Sequence, residues 1–303
     1  MKVQQYFKAL SDETRIRIVK LLEHRELSVN EIMAVLGMGQ SRVSRHLRVL
    51  ADSGLLKSRR DGLWVFYSAV DEGEGRAFLT SVESLLRGGI FDIDRNRAYE
   101  IAAARLRETR NFFNSIAPEW ENIRSELLAG FDPTVHVVST EGRVSTAVDL
   151  GCGTGDLIAT LSKMADRVIG IDNSPAMIEL ARKRFLGANG HVDLRLGELE
   201  HLPLPDNEAD LVVLNMVMHH LASPAACFVE SRRILKNAGV FKIIEFDKHS
   251  NERLRADFGD RHLGFSEHEV VRFLETARFG GIGVEEVPLK NGLVVKIYTS
   301  RAL

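Results

Sequence analysis

The chain has 303 residues, 45% hydrophobic and 27% charged, a composition typical of globular proteins, and its length predicts about two domains. No apolar run reaches the roughly 18 residues that span a membrane, and the first residues lack the apolar core of a signal peptide. Two cysteines are too few for a disulfide framework or a cysteine-rich metal cluster, so we expect a cytoplasmic protein with reduced thiols.

The net charge of −2 is distributed unevenly along the chain. Residues 1–70 contain 12 Lys/Arg and 7 Asp/Glu, so the remainder carries an excess of seven negative charges. Positions 40–60 alone contain six basic residues and one acid. A basic N-terminal module joined to an acidic body is the electrostatic pattern of a DNA-binding domain.

Helical spacing dominates the first 55 residues. Ser11 or Asp12 is placed to cap the first helix of this region, and Ser28 with Glu31 forms a capping box for the next one. A third helix is predicted from about residue 40 to residue 53. Two strands near 56–60 and 64–68 follow, joined at Asp61-Gly62, a strong hairpin pattern. Helix, turn, helix and hairpin together predict a winged helix-turn-helix.

The third helix is the candidate recognition helix, because helix-turn-helix domains read bases from the first turns of that helix. Four polar residues near its start are candidates for base contacts, and four arginines are candidates for contacts with phosphates or the minor groove. A winged helix that binds protein through a solvated basic face is the alternative. The predicted DNA-contacting residues are Gln40, Ser41, Ser44 and Arg45 for bases, and Arg42, Arg48, Arg59 and Arg60 for the backbone.

Three segments, 9–16, 40–47 and 59–67, resemble the ArsR family of bacterial repressors, and the resemblance covers about 5–86. It implies a homodimer joined through residues near 3–10 and 74–87, with two recognition helices on an inverted-repeat operator in double-stranded DNA. Metal-sensing members carry a Cys-x-Cys pair where this chain has Leu27-Ser28-Val29-Asn30, and the predicted closing helix 76–86 contains no histidine. We therefore expect no metal sensing.

Gly88-Gly89 is the best candidate for a domain boundary. Beyond it, helices are predicted over 95–113 and from Pro118 to about residue 128. The predicted division is a DNA-binding domain at 1–89, a helical linker or cap at 90–140, and a third segment at 141–303.

The pattern changes at Thr146 to strands that alternate with helices, which indicates a parallel, doubly wound sheet. Asn291-Gly292 separates two final strands and predicts a β-hairpin. The predicted fold is therefore two-domain, an N-terminal α+β winged helix-turn-helix and a C-terminal α/β Rossmann-like sheet with a terminal antiparallel hairpin. Strands are expected near 145–149, 167–171, 192–196, 209–215, 239–245, 284–288 and 293–299, and helices near 156–164, 176–185, 223–235 and 267–278.

A glycine loop, Asp149-Leu150-Gly151-Cys152-Gly153-Thr154-Gly155, follows the first of these strands. Glycines let the backbone approach a ligand closely, and such a loop serves NAD, flavin or S-adenosylmethionine (SAM). Asp172 ends the next strand, where its carboxylate is placed to accept ribose hydroxyls. Capping of the helix ahead of Pro175 is a second, compatible role for Asp172.

The loop spacing, the terminal hairpin and the runs 197–212, 215–221 and 234–239 resemble class I SAM-dependent methyltransferases over about 110–303. The resemblance implies binding of SAM or S-adenosylhomocysteine (SAH), although Glu198 stands where an Asp is more usual. The cofactor site it implies consists of Asp149, Gly151, Gly153, Gly155, Asp172, Asn173, Met177, Glu198, Leu199 and Asn215.

The sequence assigns no catalytic residue and excludes some methyl acceptors. The run Asn215-Met216-Val217-Met218 and the pair Ala226-Cys227 both depart from the motifs of DNA methyltransferases, and two cysteines are too few for arsenic methylation. His219-His220 is interpreted as no metal site, because adjacent residues point apart and no third ligand lies nearby in sequence. The aromatic residues Phe112, Phe113 and Trp120 form either a lid over the cofactor or a helix–helix seam.

The combination of the two modules, with the segments 245–249, 254–255 and 263–266, resembles bacterial fusions of an ArsR domain to a methyltransferase-like body. Those fusions include repressors that respond to SAH. The leading hypothesis is thus a DNA-binding repressor whose methyltransferase-fold domain binds SAM or SAH as effector. An active small-molecule methyltransferase that also regulates transcription is the alternative, and a methyltransferase whose winged helix only dimerises it is a third.

Overall fold

The computed structural model describes residues 2–23, 26–61, 64–86, 88–137, 142–187 and 191–303. By spatial contact the chain separates into two compact units, Met1–Leu106 and Arg107–Leu303. The limits at 89 and 140 remain predictions of domain organisation; residues 90–106 group with the first unit and 107–140 with the second. Among the described residues, no helix combines the length and apolarity needed to cross a bilayer.

The first unit is a winged helix-turn-helix, as the sequence predicts. A short strand not expected from the sequence precedes the capped helix, because Leu27 and Ser28 pair with Tyr67 and Phe66 across a three-stranded sheet. The turn residues Gly62 and Leu63 lie outside the described residues. The elements are α1 (Lys2–Ala9), α2 (Glu13–Leu22), β1 (Leu27–Ser28), α3 (Val29–Leu36), α4 (Gln40–Asp52), β2 (Leu56–Asp61), β3 (Trp64–Ala69) and α5 (Gly73–Val82), followed by a 3₁₀ turn at Glu83–Leu85.

A long helix, α6 (Ile90–Ile116), begins in the first unit. Its start is fixed by a bidentate ion pair in which Arg17 of α2 donates to both carboxylate oxygens of Asp94, at 2.7 and 2.8 Å. Arg97, one turn further along, donates to the carbonyl of Val35 in α3 at 3.2 Å. The side chain of Asp94 is only 2% exposed, so the pair is shielded from water and is stronger than an ordinary surface ion pair.

The second unit is an α/β domain built on one seven-stranded sheet of order β6-β5-β4-β7-β8-β10-β9. The first five strands in sequence are parallel, and β9 and β10 form the predicted antiparallel hairpin. The sequence did not predict α12. The elements are α7 (Trp120–Leu127), α8 (Thr134–Val137), β4 (Val144–Leu150), α9 (Asp156–Leu161), β5 (Ala165–Asp172), α10 (Pro175–Arg184), β6 (Val192–Leu196), β7 (Ala209–Asn215), α11 (Pro224–Ile234), β8 (Leu235–Phe246), α12 (Glu252–Phe258), α13 (Glu267–Thr276), β9 (Phe279–Pro288) and β10 (Val294–Ala302).

Helices cover both faces of the sheet, and each face has its own apolar core. Along β7, Val212 and Leu214 belong to one cluster, whereas Leu211 and Val213 belong to the other. Successive side chains of a strand point to opposite faces, so a strand buried on both faces reads as the continuous apolar run seen here. The ligand edge of such a sheet lies at the carboxyl ends of the strands, where the strand order reverses on either side of β4.

The Arg17–Asp94 pair provides a test of how the first unit is held together. Replacement Asp94→Ala leaves the guanidinium without its acceptor, and we expect the free energy of unfolding to fall by about 2–3 kcal/mol. Urea unfolding of the full chain in a Trp120→Phe background measures this, since Trp64 then reports on the first unit. Asp92→Ala removes an exposed pair with Arg95 in the same helix and should cost less than about 0.5 kcal/mol. Equal losses in the two variants would contradict this role.

Candidate functional site

The predicted recognition helix presents one exposed polar face. The apolar side of α4 is buried through Val43, Leu47 and Leu50, and the helix is set in place by the turn before it, which uses Gly37 in the left-handed region (φ 65°). The capping box between Ser28 and Glu31 is present and begins α3. Six predicted DNA-contacting residues of α4 are all exposed, namely Gln40, Ser41, Arg42, Ser44, Arg45 and Arg48.

The two wing arginines differ in their surroundings. Arg60 is exposed on β2. Arg59 donates to both carboxylate oxygens of Glu26, at 3.2 and 2.7 Å, and to Asp61 at 3.0 Å, and its guanidinium lies 4.9 Å from the ring centre of Phe66. These carboxylates raise the pKa of Arg59 against the opposing effect of burial. Because its charge is already paired, Arg59 helps to fix the wing, and its contact with phosphates or the minor groove stays a prediction.

The predicted cofactor residues of the second unit come together at the carboxyl edge of the sheet. Asp149 lies near the end of β4 and the glycines of the loop follow that strand, Asp172 ends β5 and Asn215 ends β7. Glu198 comes two residues after the end of β6. The sheet order places β5 and β7 on either side of β4, so residues separated by more than 60 positions in sequence meet at one edge.

The glycine loop is tightly constrained by its neighbours. Gly151 adopts φ 72°, and a Cβ at this position would lie 2.4 Å from a methyl carbon of Val217, so only glycine fits without displacement. The backbone amide of Gly151 donates to the carbonyl of Ile171 at 2.8 Å. Gly155 also has positive φ (88°) and leads into α9. The turn at Gly151 therefore requires glycine for steric and conformational reasons.

Asp172 links the loop to the second strand. One carboxylate oxygen accepts from the amide of Gly153 at 2.9 Å, and the other accepts from the amide of Ser174 at 2.8 Å. Ser174, rather than Asp172, caps α10 by accepting from the amide of Met177. Burial raises the pKa of Asp172, and the amides oppose that rise. The capping role considered for Asp172 is therefore carried out by its neighbour.

The remaining predicted residues are Asn173, Met177, Glu198 and Leu199. The amide nitrogen of Asn173 donates to Glu198 at 3.0 Å, so these two residues are held together. Leu199 and Met177 are buried. Leu199 packs within one apolar core of the sheet, which gives it a structural role in addition to any cofactor contact.

Two buried polar atoms at this edge have no hydrogen-bond partner in the described residues, Oδ1 of Asn215 and Oγ1 of Thr154. Buried polar atoms in native proteins are nearly always bonded, and an unpartnered one indicates a missing ligand or water. Both atoms belong to segments that the sequence assigns to the cofactor. The residues present therefore fit a polar nucleoside cofactor.

Asp149 carries the most perturbed carboxyl group of the loop. Burial raises its pKa to about 8, and the nearby charges of Asp172 and Asp156 add to the effect. A positively charged ligand placed beside these acids would offset their mutual repulsion. SAM carries one more positive charge than SAH, at its sulfonium.

Aromatic side chains from the end of α6 and from α7 form a cluster in which one ring, that of Trp120, lies against the glycine loop. Phe113 contacts Trp120 edge to face, with ring centres 5.5 Å apart, and also contacts His220 at 4.8 Å. The indole nitrogen of Trp120 would lie 3.5 Å from a Cβ at Gly153. Likewise, a Cβ at Gly259 would lie 3.4 Å from a ring carbon of Phe112. Trp120 thus lies against the glycine loop and the three rings pack against one another, so the lid and the helix–helix seam both stay predictions.

A cluster of ionisable side chains beside these rings was not predicted from the sequence. His219 Nδ1 lies 2.6 Å from Glu245 at the end of β8, and its Nε2 lies 3.8 Å from Asp260. His220 Nδ1 lies 3.8 Å from the same oxygen of Asp260. Burial opposes the charge of His219, but the two carboxylates raise its pKa to about 9. Burial and the neighbouring His219 lower the pKa of His220.

One of the two reasons for expecting no metal at His219-His220, that adjacent residues point apart, does not hold in the structure; the other, that no third ligand lies nearby in sequence, is true but does not exclude a ligand from a distant segment. The residues occupy a 3₁₀ turn, Met218–His220, in which their ring centres lie only 4.1 Å apart. A third candidate ligand comes from Asp260, some 40 positions away in sequence. No local sequence pattern could have found it, because the contact depends on the segment after α12 returning to this turn.

Both cysteines are buried and unpaired. Burial raises the pKa of each thiol, that of Cys227 to about 12. Their thiolate forms are therefore disfavoured.

Comparison with known proteins agrees with this architecture. Residues 12–58 match the family described as "Bacterial regulatory protein, arsR family", and residues 148–243 match the family described as "Methyltransferase domain". The chain is 34% identical over 172 residues to a demethylmenaquinone methyltransferase of Lactobacillus johnsonii, covering 50% of this chain and 70% of that protein. It is 32% identical over 163 residues to a demethylmenaquinone methyltransferase of Symbiobacterium thermophilum, covering 51% of this chain and 61% of that protein.

Among solved structures, a SAM-dependent methyltransferase from Aquifex aeolicus superposes with a TM-score of 0.50 at 26% identity, covering 63% of this chain and 98% of that one. The chain spans only 28% of a transposon-encoded protein of Streptomyces fradiae, to which it is 41% identical over 97 residues. The C-terminal part of the chain belongs to the SAM-dependent methyltransferase family, and the N-terminal part is a DNA-binding domain of the arsR family. The methyltransferase domain implies binding of SAM or SAH.

Proposed function

We propose that this protein is a transcriptional repressor of the ArsR type whose methyltransferase domain binds SAM or SAH as an effector. The observation that carries the proposal is that one chain holds both an exposed basic recognition face on α4 and a buried ligand edge with unpartnered polar atoms. A DNA-binding domain attached to a metabolite-binding domain couples transcription to the level of that metabolite.

In the proposed DNA complex, the exposed face of α4 enters the major groove. Gln40, Ser41, Ser44 and Arg45 lie near its N-terminal end and reach base edges, where Gln pairs with adenine and Arg with guanine. Arg42, Arg48 and Arg60 contact the phosphates. The side chains that pack α4 are all on its opposite face, so the base contacts need no rearrangement of the core.

In the proposed ligand complex, the glycine loop and Asp149 lie at the methionine portion, Asp172 accepts from the ribose hydroxyls and Asn215 contacts the amino acid group. Glu198, held by Asn173, lies at the adenine together with Leu199 and Met177. SAM, when bound, would supply an activated methyl group on a sulfonium, and SAH is the same molecule without that methyl and charge.

The proposed assembly is a homodimer on an inverted-repeat operator. Val3, Phe7 and Leu85 lie in or near the two segments that the ArsR resemblance assigns to the dimer contact, and all three are exposed in the single chain. Exposed apolar side chains in these segments are available for contact with a second chain. Two chains per operator follow from the two-fold symmetry of an inverted repeat.

Fluorescence anisotropy at fixed salt tests the proposal, because phosphate contacts make affinity depend strongly on ionic strength. The probes are DNA upstream of the protein's own gene and of genes that recycle SAH, titrated without ligand, with SAM and with SAH. We expect two chains per operator and a ligand-dependent change in affinity of about 5- to 150-fold, the range typical of coupled sites. Specific binding that neither ligand changes would contradict the effector role, and absence of specific binding would favour a winged helix that only dimerises the chain.

Two variants separate the sites. Arg45→Ala should abolish specific DNA binding and leave ligand affinity unchanged. Asn215→Ala should lower ligand affinity about 10- to 100-fold and remove the DNA response, with little loss of stability, because its Oδ1 has no partner in the protein. Lys183→Ala, which removes an exposed charge on α10, is the matched control and should change neither affinity.

The raised pKa of Asp149 predicts a pH dependence that differs between the two ligands. Below about pH 8 the free protein holds a proton on Asp149, and the sulfonium of SAM favours its loss. The ratio of SAM to SAH affinity should therefore rise with pH up to about 8 and then level off. The total change is up to about tenfold for each unit by which the sulfonium lowers the pKa.

Calorimetric titrations with both ligands between pH 6 and 9 measure this ratio, and SAH corrects for the amino group that the ligands share. Asp149→Asn should make the ratio independent of pH. A flat ratio in the unmodified protein would place the sulfonium away from Asp149.

A second candidate function is an active SAM-dependent methyltransferase of small molecules that also regulates transcription. The buried group of His219, Glu245 and Asp260 favours it, since a ligand sensor has no need of charged side chains there. Incubation with SAM and an extract of small metabolites tests it by the amount of SAH released. Many equivalents of SAH per chain would establish catalysis, whereas one equivalent or none would leave the sensor role.

A further inference from the structure

His219 and His220, in the 3₁₀ turn Met218–His220, form a cluster of candidate metal ligands with Asp260. His219 Nε2 and His220 Nδ1 each lie 3.8 Å from Oδ1 of Asp260, and candidate ligand atoms of the three residues lie within 4.8 Å of one another. His219 and Asp260 are almost fully buried, and the side chain of His220 is 10% exposed. The group therefore opens toward solvent only on the side of His220.

Two of these atoms lack a hydrogen-bond partner in the described residues. Nδ1 of His220 and Oδ1 of Asp260 are buried without a hydrogen bond, and the 3.8 Å between them is too long for one. An unpartnered carboxylate oxygen costs more than a neutral group, since it carries charge in a dry environment. Two unpartnered atoms that face each other indicate an atom or ion that belongs between them.

The ring of His219 is oriented by a neighbouring carboxylate, an arrangement that is common in metal-binding proteins. Glu245 lies 2.6 Å from Nδ1 of His219 through Oε1, which directs Nε2 toward Asp260. The carboxylate of Glu245 is itself fixed by the amides of Phe246, at 2.7 Å, and His219, at 3.1 Å. A carboxylate that orients a metal-bound histidine in this way is the usual outer support of such sites. The backbone of Gly259 interacts with the ring of His220.

We propose that His219, His220 and Asp260 bind a divalent transition-metal ion of the Zn²⁺ type. Two imidazole nitrogens and one carboxylate oxygen form a donor set typical of zinc, with a fourth position left for solvent or ligand. An ion at about 2.0–2.1 Å from each of two ligands spans the observed 3.8 Å separations with little movement. The site lies beside Phe113, whose ring covers His220, and it is independent of whether the domain transfers methyl groups or only senses SAM and SAH.

Titration of the full chain with Zn²⁺ alone, after dialysis against a chelator, tests the site. We expect one ion per chain by calorimetry and a rise in melting temperature with Zn²⁺, because an ion that binds only the folded state stabilises it. Substituted Co²⁺ should show visible bands without the charge-transfer absorption of a thiolate, which excludes Cys152 and Cys227 as ligands. Absence of saturable one-to-one binding would overturn the proposal and indicate a bridging water instead.

Variants locate the ion. Asp260→Asn keeps the size of the side chain and should lower Zn²⁺ affinity by more than about 100-fold, while Glu245→Gln should lower it by about 10- to 100-fold. Asp257→Asn and His268→Gln, at exposed positions nearby in sequence, are matched controls and should retain full affinity. His220→Gln provides the same readout if Asp260→Asn does not fold. Equal affinity in the unmodified protein and in these ligand variants would overturn the assignment.

Discussion

Two backbone amides, one from the glycine loop and one from the start of α10, converge on the carboxylate of Asp172. This interaction joins the end of β5 to the loop after β4 and so fixes the shape of the cofactor edge. Burial of this carboxylate removes a charged group from water, and the hydrogen bonds from the two amides offset that cost. The loop turns sharply at Gly151. This position requires glycine because Val217 occupies the space that a side chain would need.

The same arrangement brings several acidic side chains close together. Asp149, Asp172 and Asp156 lie close enough for their charges to influence one another, and burial raises the pKa of the first two. A site that gathers acids favours a cationic ligand, and this gives the edge a physical basis for distinguishing a sulfonium from a thioether. Glu245 and Asp260, by contrast, both lie beside the imidazole of His219, so the negative charges of these two carboxylates face a group that can carry positive charge.

The DNA-binding unit shows a simpler division between packing and recognition. Val43, Leu47 and Leu50 place α4 against the core, which leaves its polar residues exposed along one face. In the wing, Arg59 and Arg60 are adjacent but alternate in direction along β2, as strand residues must. Arg59 therefore meets Glu26 and Asp61 and is half-buried, while Arg60 is exposed.

The sequence by itself determined the two modules, the order of most helices and strands, the capping box at Ser28 and the residues of the glycine loop. These depend on local spacing and on backbone preferences, which adjacent residues specify. Only the tertiary structure decided the pairing of Arg59, the short strand at Leu27, and the meeting of His219 and His220 with Glu245 and Asp260. Apart from the local contact of Arg59 with Asp61, those contacts join residues 26 to 41 positions apart, and no local pattern specifies how such distant segments come together.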